Sequence, residues 1–252
     1  MEMIDASIGS LMDTEAVVLE GINWSVAAGD YWAIGGLQGS GKSDLTHTAA
    51  GIMGPVRGSY RVFGQELDAG FEQELLALRL RLGLVFDGGR LLNHLTILEN
   101  IALPIRYHKN ISVPEAVSEA QALLELTGLS AWADRAPSAM RRNWQQRIGL
   151  ARALALKPEI LLLDSPLSGL DPRDAAWWLD LLDQLSAGHS IVDGRPMTLA
   201  VTGDNLRPWS GRARQFAVLK NKTFVPLGNR SELLAHGEPL LQELLRTDAV
   251  NT

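Results

Sequence analysis

The chain of 252 residues contains no cysteine. That excludes disulfides, thiol nucleophiles and Cys-ligated zinc or iron–sulfur sites, and it is compatible with a reducing compartment. No apolar run approaches the roughly 20 residues that cross a bilayer, so a direct membrane span is not expected. The first residues, Met1-Glu2-Met3-Ile4-Asp5, are acidic and lack the basic start of a secretory signal. Positive charge is in deficit. The net charge of −6 argues against nucleic acid as a partner, because phosphate backbones are held mostly by Lys and Arg. Hydrophobic residues make up 46%, enough for the core of one large domain or one domain with an insertion. A soluble chain is expected, linked to any membrane only through another protein.

The most specific feature present is Gly36-Leu37-Gln38-Gly39-Ser40-Gly41-Lys42-Ser43, which fits G-x-x-x-x-G-K-[ST] at every fixed position. An apolar run, Tyr31-Trp32-Ala33-Ile34, precedes it, and a segment able to form a helix follows from Asp44. That strand–loop–helix context is what the motif requires. Glycines let backbone N–H groups converge on phosphate at a helix N-terminus, where negative charge is favoured. Lys42 would reach the terminal phosphates and Ser43 would offer its hydroxyl oxygen to Mg²⁺. A Gly-rich turn without function is the weaker alternative, since sequence and context agree.

Continuous apolar runs at 31–35, 82–86, 160–164, 197–202 and 216–220 suggest strands buried on both faces, hence a parallel sheet covered by helices. Shorter strands are expected at 17–24 and 59–63. Between 87 and 156 the pattern becomes helical. Ser112-Val113-Pro114-Glu115 is a capping box with Pro in the first turn. Ala116, Ala120, Leu123 and Leu124 then share a face, and Gly128 provides a stop. A second helix is expected over 143–156, and an amphipathic helix over 231–245 that packs on the core or meets a partner.

Ile160-Leu161-Leu162-Leu163-Asp164 is an apolar strand ending in a carboxylate, the residue type that holds the Mg²⁺ shell in P-loop enzymes. Ser168-Gly169-Leu170-Asp171-Pro172 follows it. Together with the P-loop, with Leu95-Thr96-Ile97-Leu98-Glu99-Asn100-Ile101-Ala102, with Ile148-Gly149-Leu150-Ala151-Arg152-Ala153-Leu154 and with Lys157-Pro158-Glu159, these segments resemble the ATP-binding-cassette (ABC) ATPases over nearly the whole chain. Ala102-Leu103-Pro104-Ile105-Arg106-Tyr107-His108-Lys109 with Ile111-Ser112 is most similar to cassettes of the mammalian-cell-entry (Mla-type) lipid transporters.

The resemblance implies an α/β P-loop NTPase: a RecA-like parallel sheet core, an antiparallel β subdomain and an inserted helical subdomain. It places the β subdomain and core in 1–87 and 157–230, the helical subdomain in 88–156 and a C-terminal helix in 231–252. It implies ATP and Mg²⁺ as cofactors, with Ser43, Asp164 and Asp87 around the metal. It also implies a second cassette, head-to-tail, with Arg141, Arg142, Asn143 and Asp171 at the interface. The further partner is a membrane permease, which would hold the chain at the cytoplasmic face of the inner membrane.

Four positions depart from the family pattern. Asp87 stands where the family carries Gln after Val85-Phe86. Met140-Arg141-Arg142-Asn143-Trp144 stands on the Leu-Ser-Gly-Gly-Gln signature. Ser165 replaces the Glu after the strand-terminal Asp, and Gly203 replaces the His in Thr202-Gly203-Asp204. A Ser cannot serve as a carboxylate base, and Gly offers no side chain to phosphate. Arg142 is either a solvated helix start or an Arg-to-phosphate contact across the dimer. Where the family stacks an aromatic on adenine, this chain has Met12 or Asp13. The expected protein binds Mg-ATP but hydrolyses it poorly, as a subunit of a phospholipid-type transporter. The alternative is a non-transport pseudo-ATPase that serves as a nucleotide-gated scaffold.

Overall fold

Buried apolar residues facing one another across two strands set the first layer. Strands β1 (Glu2–Gly9) and β2 (Val17–Ser25) pair antiparallel, with buried Met3, Ala6 and Ile8 opposite buried Trp24, Ile22 and Leu19. One face is thus apolar and the other wet, the pattern of an antiparallel sheet covered on one side. The computed structural model describes residues 1–10, 13, 16–67, 73–237 and 239–245. They divide into two compact units, Met1–Arg79 with Thr198–Thr252, and Leu80–Met197.

The first unit continues with β3 (Tyr31–Gly36), α1 (Lys42–Ala49), β4 (Arg57–Val62), β5 (Gln65–Glu66) and α2 (Gln73–Arg79). The antiparallel sheet has the order β2-β1-β4-β5. Strand β3 is buried at every position, as its unbroken apolar run predicts. Helix α1 is tied to the antiparallel sheet by the buried Tyr60 hydroxyl, which donates to the Ala49 carbonyl (2.5 Å). Burial pushes that hydroxyl's pKa upward.

The second unit opens with β6 (Leu82–Val85), followed by α3 (Ile97–Lys109), α4 (Val113–Thr127), α5 (Arg142–Leu154), β7 (Ile160–Leu163) and α6 (Pro172–Ala187). Strands β6 and β7 run parallel, with Leu82 opposite Ile160 and Val85 opposite Leu163. Thr96 and Glu99 form a capping box at the start of α3, and Ser112 and Glu115 another at the start of α4. Gly128 ends α4 in the left-handed conformation (φ 70°), the stop expected of it. Helices α3 to α5 occupy the stretch expected to be helical, but the unit that holds them extends from Leu80 to Met197.

The chain returns to the first unit through β8 (Thr198–Gly203), β9 (Gln215–Lys220) and β10 (Thr223–Gly228), then α7 (Arg230–Ala235) and α8 (Pro239–Leu244). Strand β3 lies between β8 and β9, parallel to both, and β10 adds antiparallel to β9. The single C-terminal helix expected from 231 onward is instead two short ones. Asn229 caps α7, and His236 turns extended after it. Gly237 follows the end of α7, and Pro239, which suits a first helical turn, begins α8. Residues 246–252 of that expected helix lie outside the described residues.

Candidate functional site

The P-loop lies in the first unit. It leaves the end of β3 at Gly36 and enters α1 at Lys42. Two glycines make the loop possible. A Cβ at Gly36 would overlap the Ser40 hydroxyl, which folds back over it. Gly41 caps α1 with φ 93°, and a Cβ there would also lie 2.9 Å from Val18 Cγ1. No side chain caps α1. The first N–H groups of a helix have no partner within it, so these donors face the loop with the helix dipole behind them.

Lys42 curls over this loop. Its Nζ donates to the Gly36 carbonyl (2.6 Å) and the Leu37 carbonyl (2.9 Å). The Ser40 hydroxyl is buried and has no hydrogen-bond partner among the described residues. A cavity of ≈ 360 Å³ lies beside the loop, lined by Leu37, Gln38, Gly39 and Ser40 on one side and by Leu219, Lys220, Asn221 and Leu240 on the other. Ammonium, helix N-terminus and glycine-opened backbone are the donor set that suits a polyphosphate. Ser43, half-buried beside Lys42 in the first turn, carries the hydroxyl expected to meet Mg²⁺.

Gly203 also lies in the first unit, at the end of β8, opposite Gly35 of β3. The atom nearest to a Cβ built there is the Asn205 carbonyl oxygen at 3.7 Å, an ordinary contact. Space does not require glycine at this position. Met12 lies outside the described residues.

The remaining candidates lie in the second unit. Asp164 follows β7 and is 3% exposed. Its N–H donates to Val85 O (2.9 Å), and Ser165 Oγ donates to its carboxylate (3.3 Å). Ser165 holds φ 49°, a left-handed conformation that costs a non-glycine residue energy. Gln146 of α5 donates to the Ser165 carbonyl (3.3 Å).

Asp87, at the exit of β6, is paired with Arg142 in the first turn of α5. Within the chain, the partner of the Arg142 guanidinium is the Asp87 carboxylate. Arg141 occupies the N-cap position of α5 without a side-chain cap bond. Asn143 Nδ2 donates to Asp174 (2.5 Å), and Arg147 donates to the other oxygen of the same carboxylate (2.7 Å). Asp171 caps α6, accepting from the N–H groups of Arg173 (2.8 Å) and Asp174 (2.9 Å). Among the described residues no group of three or more His, Cys, Asp or Glu is arranged to hold a metal.

Sequence reasoning missed Asp174, Arg147 and Trp177, whose ring centre lies 3.7 Å from the Arg147 guanidinium. Asp171-Pro172 was a readable helix start, which would have placed Asp174 in a first turn. Nothing local announced that Arg147, a helix earlier, would meet it.

Comparison with known proteins gives the family and the fold. The family described as ABC transporter matches residues 19–168. The methionine import ATP-binding protein MetN of Cupriavidus metallidurans is 38% identical over 180 residues, 71% of this chain and 52% of that protein. MetN 2 of Paraburkholderia xenovorans is 41% identical over 170 residues, 67% of this chain and 43% of that one. The chain thus spans about half the length of the curated relatives it matches. These relatives are named as methionine importers rather than as the lipid-transport cassettes of the expected subfamily.

Among solved structures, the dimeric ATP-binding cassette MJ0796, in a post-hydrolysis state with ADP and Pi, superposes with a TM-score of 0.78 at 26% identity, covering 88% of this chain and 95% of that one. The fold is also shared with cbiO1 of Clostridium perfringens, part of the ABC transporter complex cbiONQ, at a TM-score of 0.75 and 22% identity over 93% of this chain and 90% of that one. The fold is the α/β P-loop NTPase fold of an ABC cassette, and this chain belongs to the ABC transporter family.

Proposed function

We propose that this chain is the ATP-binding subunit of an ABC transporter, binding Mg-ATP with little hydrolysis of its own. The observation that carries the reading is the P-loop itself, with Lys42 folded over Gly36 and Leu37 and with an uncapped helix N-terminus behind it. Lys42 and the backbone of residues 36–43 would hold the phosphates. Ser43 and Asp164 would hold Mg²⁺, which when bound neutralises phosphate charge. Calorimetric titration with ATP and Mg²⁺ tests the reading, and absence of binding would end it.

Slow hydrolysis is inferred from the residues that remain. Ser165 has no carboxylate to polarise water, and Gly203 has no side chain to reach phosphate. Loss of a general base costs about 10²–10⁴ in rate, and loss of one positioned stabiliser about 10²–10³. Such losses do not add within one site. Even so, turnover falls well below the usual range of about 1–10³ s⁻¹.

A second cassette and a membrane permease complete the proposed assembly, on the cytoplasmic face of the inner membrane. The division into core, β subdomain and helical subdomain belongs to the same reading. No helix among the described residues is long and apolar enough to cross a membrane, which suits a subunit that depends on a permease. The names of the relatives make methionine import the first cargo to test, ahead of the phospholipid cargo expected from residues 102–112. Copurification with a permease separates this reading from a free-standing scaffold.

A further inference from the structure

The segment that leaves β6 lies along one face of α5 and is fastened to it turn by turn. Arg142 Nη2 donates to Asp87 Oδ1 at the first turn of the helix. At the next turn, a Cβ on Gly89 would overlap the Gln145 carbonyl oxygen. One turn further, a Cβ on Gly149 would lie 2.9 Å from Gly89 Cα. At the last turn, Arg152 donates to the carbonyls of Gly89 (2.8 Å) and Arg90 (3.1 Å). Positions 142, 145, 149 and 152 follow the three-and-four spacing of a single helix face.

The two ends of this seam differ. At the Arg152 end the contacts are to backbone carbonyls, and burial lowers the pKa of that guanidinium. At the other end the Arg142 and Asp87 side chains are 57% and 42% exposed. The charge pair is the solvent-exposed end of the seam.

We propose that Asp87 is a positioning residue for the start of α5. With Arg142 it forms a clasp that holds residues 87–90 on the helix. The two charged residues that stand at the Gln and signature positions of the family therefore act on each other, as one compensated change. The carboxylate is occupied by a guanidinium and is not offered to Mg²⁺. The guanidinium is neutralised and is not held out for phosphate. When the clasp opens, the exit of β6 and the first turn of α5 are freed together. The statement about Mg²⁺ rests on the functional reading above; the clasp does not.

Amide hydrogen exchange on the full chain without nucleotide tests it, comparing wild type with Asp87→Asn, Arg142→Gln and the double variant. An exposed pair sets an effect of about threefold to fivefold. Each single variant is expected to speed exchange by that factor in residues 87–90 and in the first turn of α5. The double variant is expected to exceed neither single one, and the swap Asp87→Arg with Arg142→Asp is expected to restore protection. Unchanged exchange in both singles, or additive effects in the double, would overturn the clasp. If Asp87→Asn raised the Mg²⁺ needed for ATP binding severalfold, Asp87 would be a metal ligand and the proposal would fail. Should the wild type bind no ATP, the functional reading fails, and the exchange measurements alone decide the clasp.

Discussion

Arg147 is fixed by Asp174 and Trp177 together: its guanidinium bonds the Asp174 carboxylate at 2.7 Å while lying 3.7 Å from the centre of the Trp177 ring. Trp144 lies on another side at 4.8 Å, and Trp132 packs on Trp144 with centroids 4.7 Å apart. The Arg147 and Asp174 side chains are only 9% and 18% exposed. Asn143 takes the second oxygen of Asp174. Helix α5 is thereby keyed to the first turn of α6 by charge, hydrogen bond and ring contact at once.

Removing one partner of that pair leaves the other charge buried. Asp174→Ala is expected to cost about 3 kcal/mol of stability, read by urea denaturation of the full chain. Replacing both partners with apolar residues, Arg147→Met with Asp174→Leu, should cost less, since no uncompensated charge remains. The exposed Lys157–Asp193 pair is the control, and breaking it should cost far less, because solvent screens it. Equal losses from the two pairs would contradict the burial argument.

Lys42→Ala should weaken Mg-ATP binding by roughly 10- to 100-fold, the equivalent of one charge-assisted hydrogen bond or two. The same change removes the bonds to Gly36 and Leu37, so circular dichroism should accompany the calorimetry. A folded variant that binds as well as the wild type would remove the P-loop from the account.

Restoring one family residue should not restore turnover. Ser165→Glu is expected to leave phosphate release below about 1 s⁻¹, because Gly203 still lacks a side chain and Ser165 sits at φ 49°. A Cβ at Gly203 would make only ordinary contacts, and the double variant Ser165→Glu with Gly203→His is the stronger test. Wild-type protein that by itself releases phosphate above that rate would refute impaired hydrolysis.

Acid should loosen the start of α3. Its capping box holds the Glu99 carboxyl below its ordinary pKa, first through the Thr96 backbone N–H and then through the Thr96 hydroxyl. A carboxyl whose folded pKa is depressed stabilises fully above its unfolded pKa, and the gain disappears as pH falls through the folded value. Glu99→Ala, which removes the titrating arm, should therefore destabilise the start of α3 at neutral pH and progressively less below about pH 4. A cost independent of pH would show that the charge on the Glu99 arm of the box is idle.

Much of the architecture was legible from local pattern. The buried strands β3, β7 and β8 follow from unbroken apolar runs, because a strand covered on both faces has no wet side to mark. The capping box at Ser112 and the stop at Gly128 followed from residues within a turn of each other. Strand β1 was not read as a strand. Its burial is irregular, with register shifts against β2 and a left-handed Asp5, so no clean alternation showed. Helix α6 was also passed over, although Asp171-Pro172 announced its start. The C-terminal segment was read as one helix because its apolar spacing continues past Gly237, while the backbone does not.

The sequence by itself determined the P-loop motif and the family. Each is a matter of residue type at short spacing, and glycine, lysine and proline act on their immediate neighbours. Only the tertiary structure decided which distant side chains meet. Asp87 and Arg142 are 55 positions apart, and Arg147 and Asp174 are 27 apart. Neither pairing leaves a periodic trace. The first depends on how closely the backbone at Gly89 and Gly149 can approach, and the second on which face of α5 turns toward α6. Those are properties of packing, set by the whole core of the second unit at once.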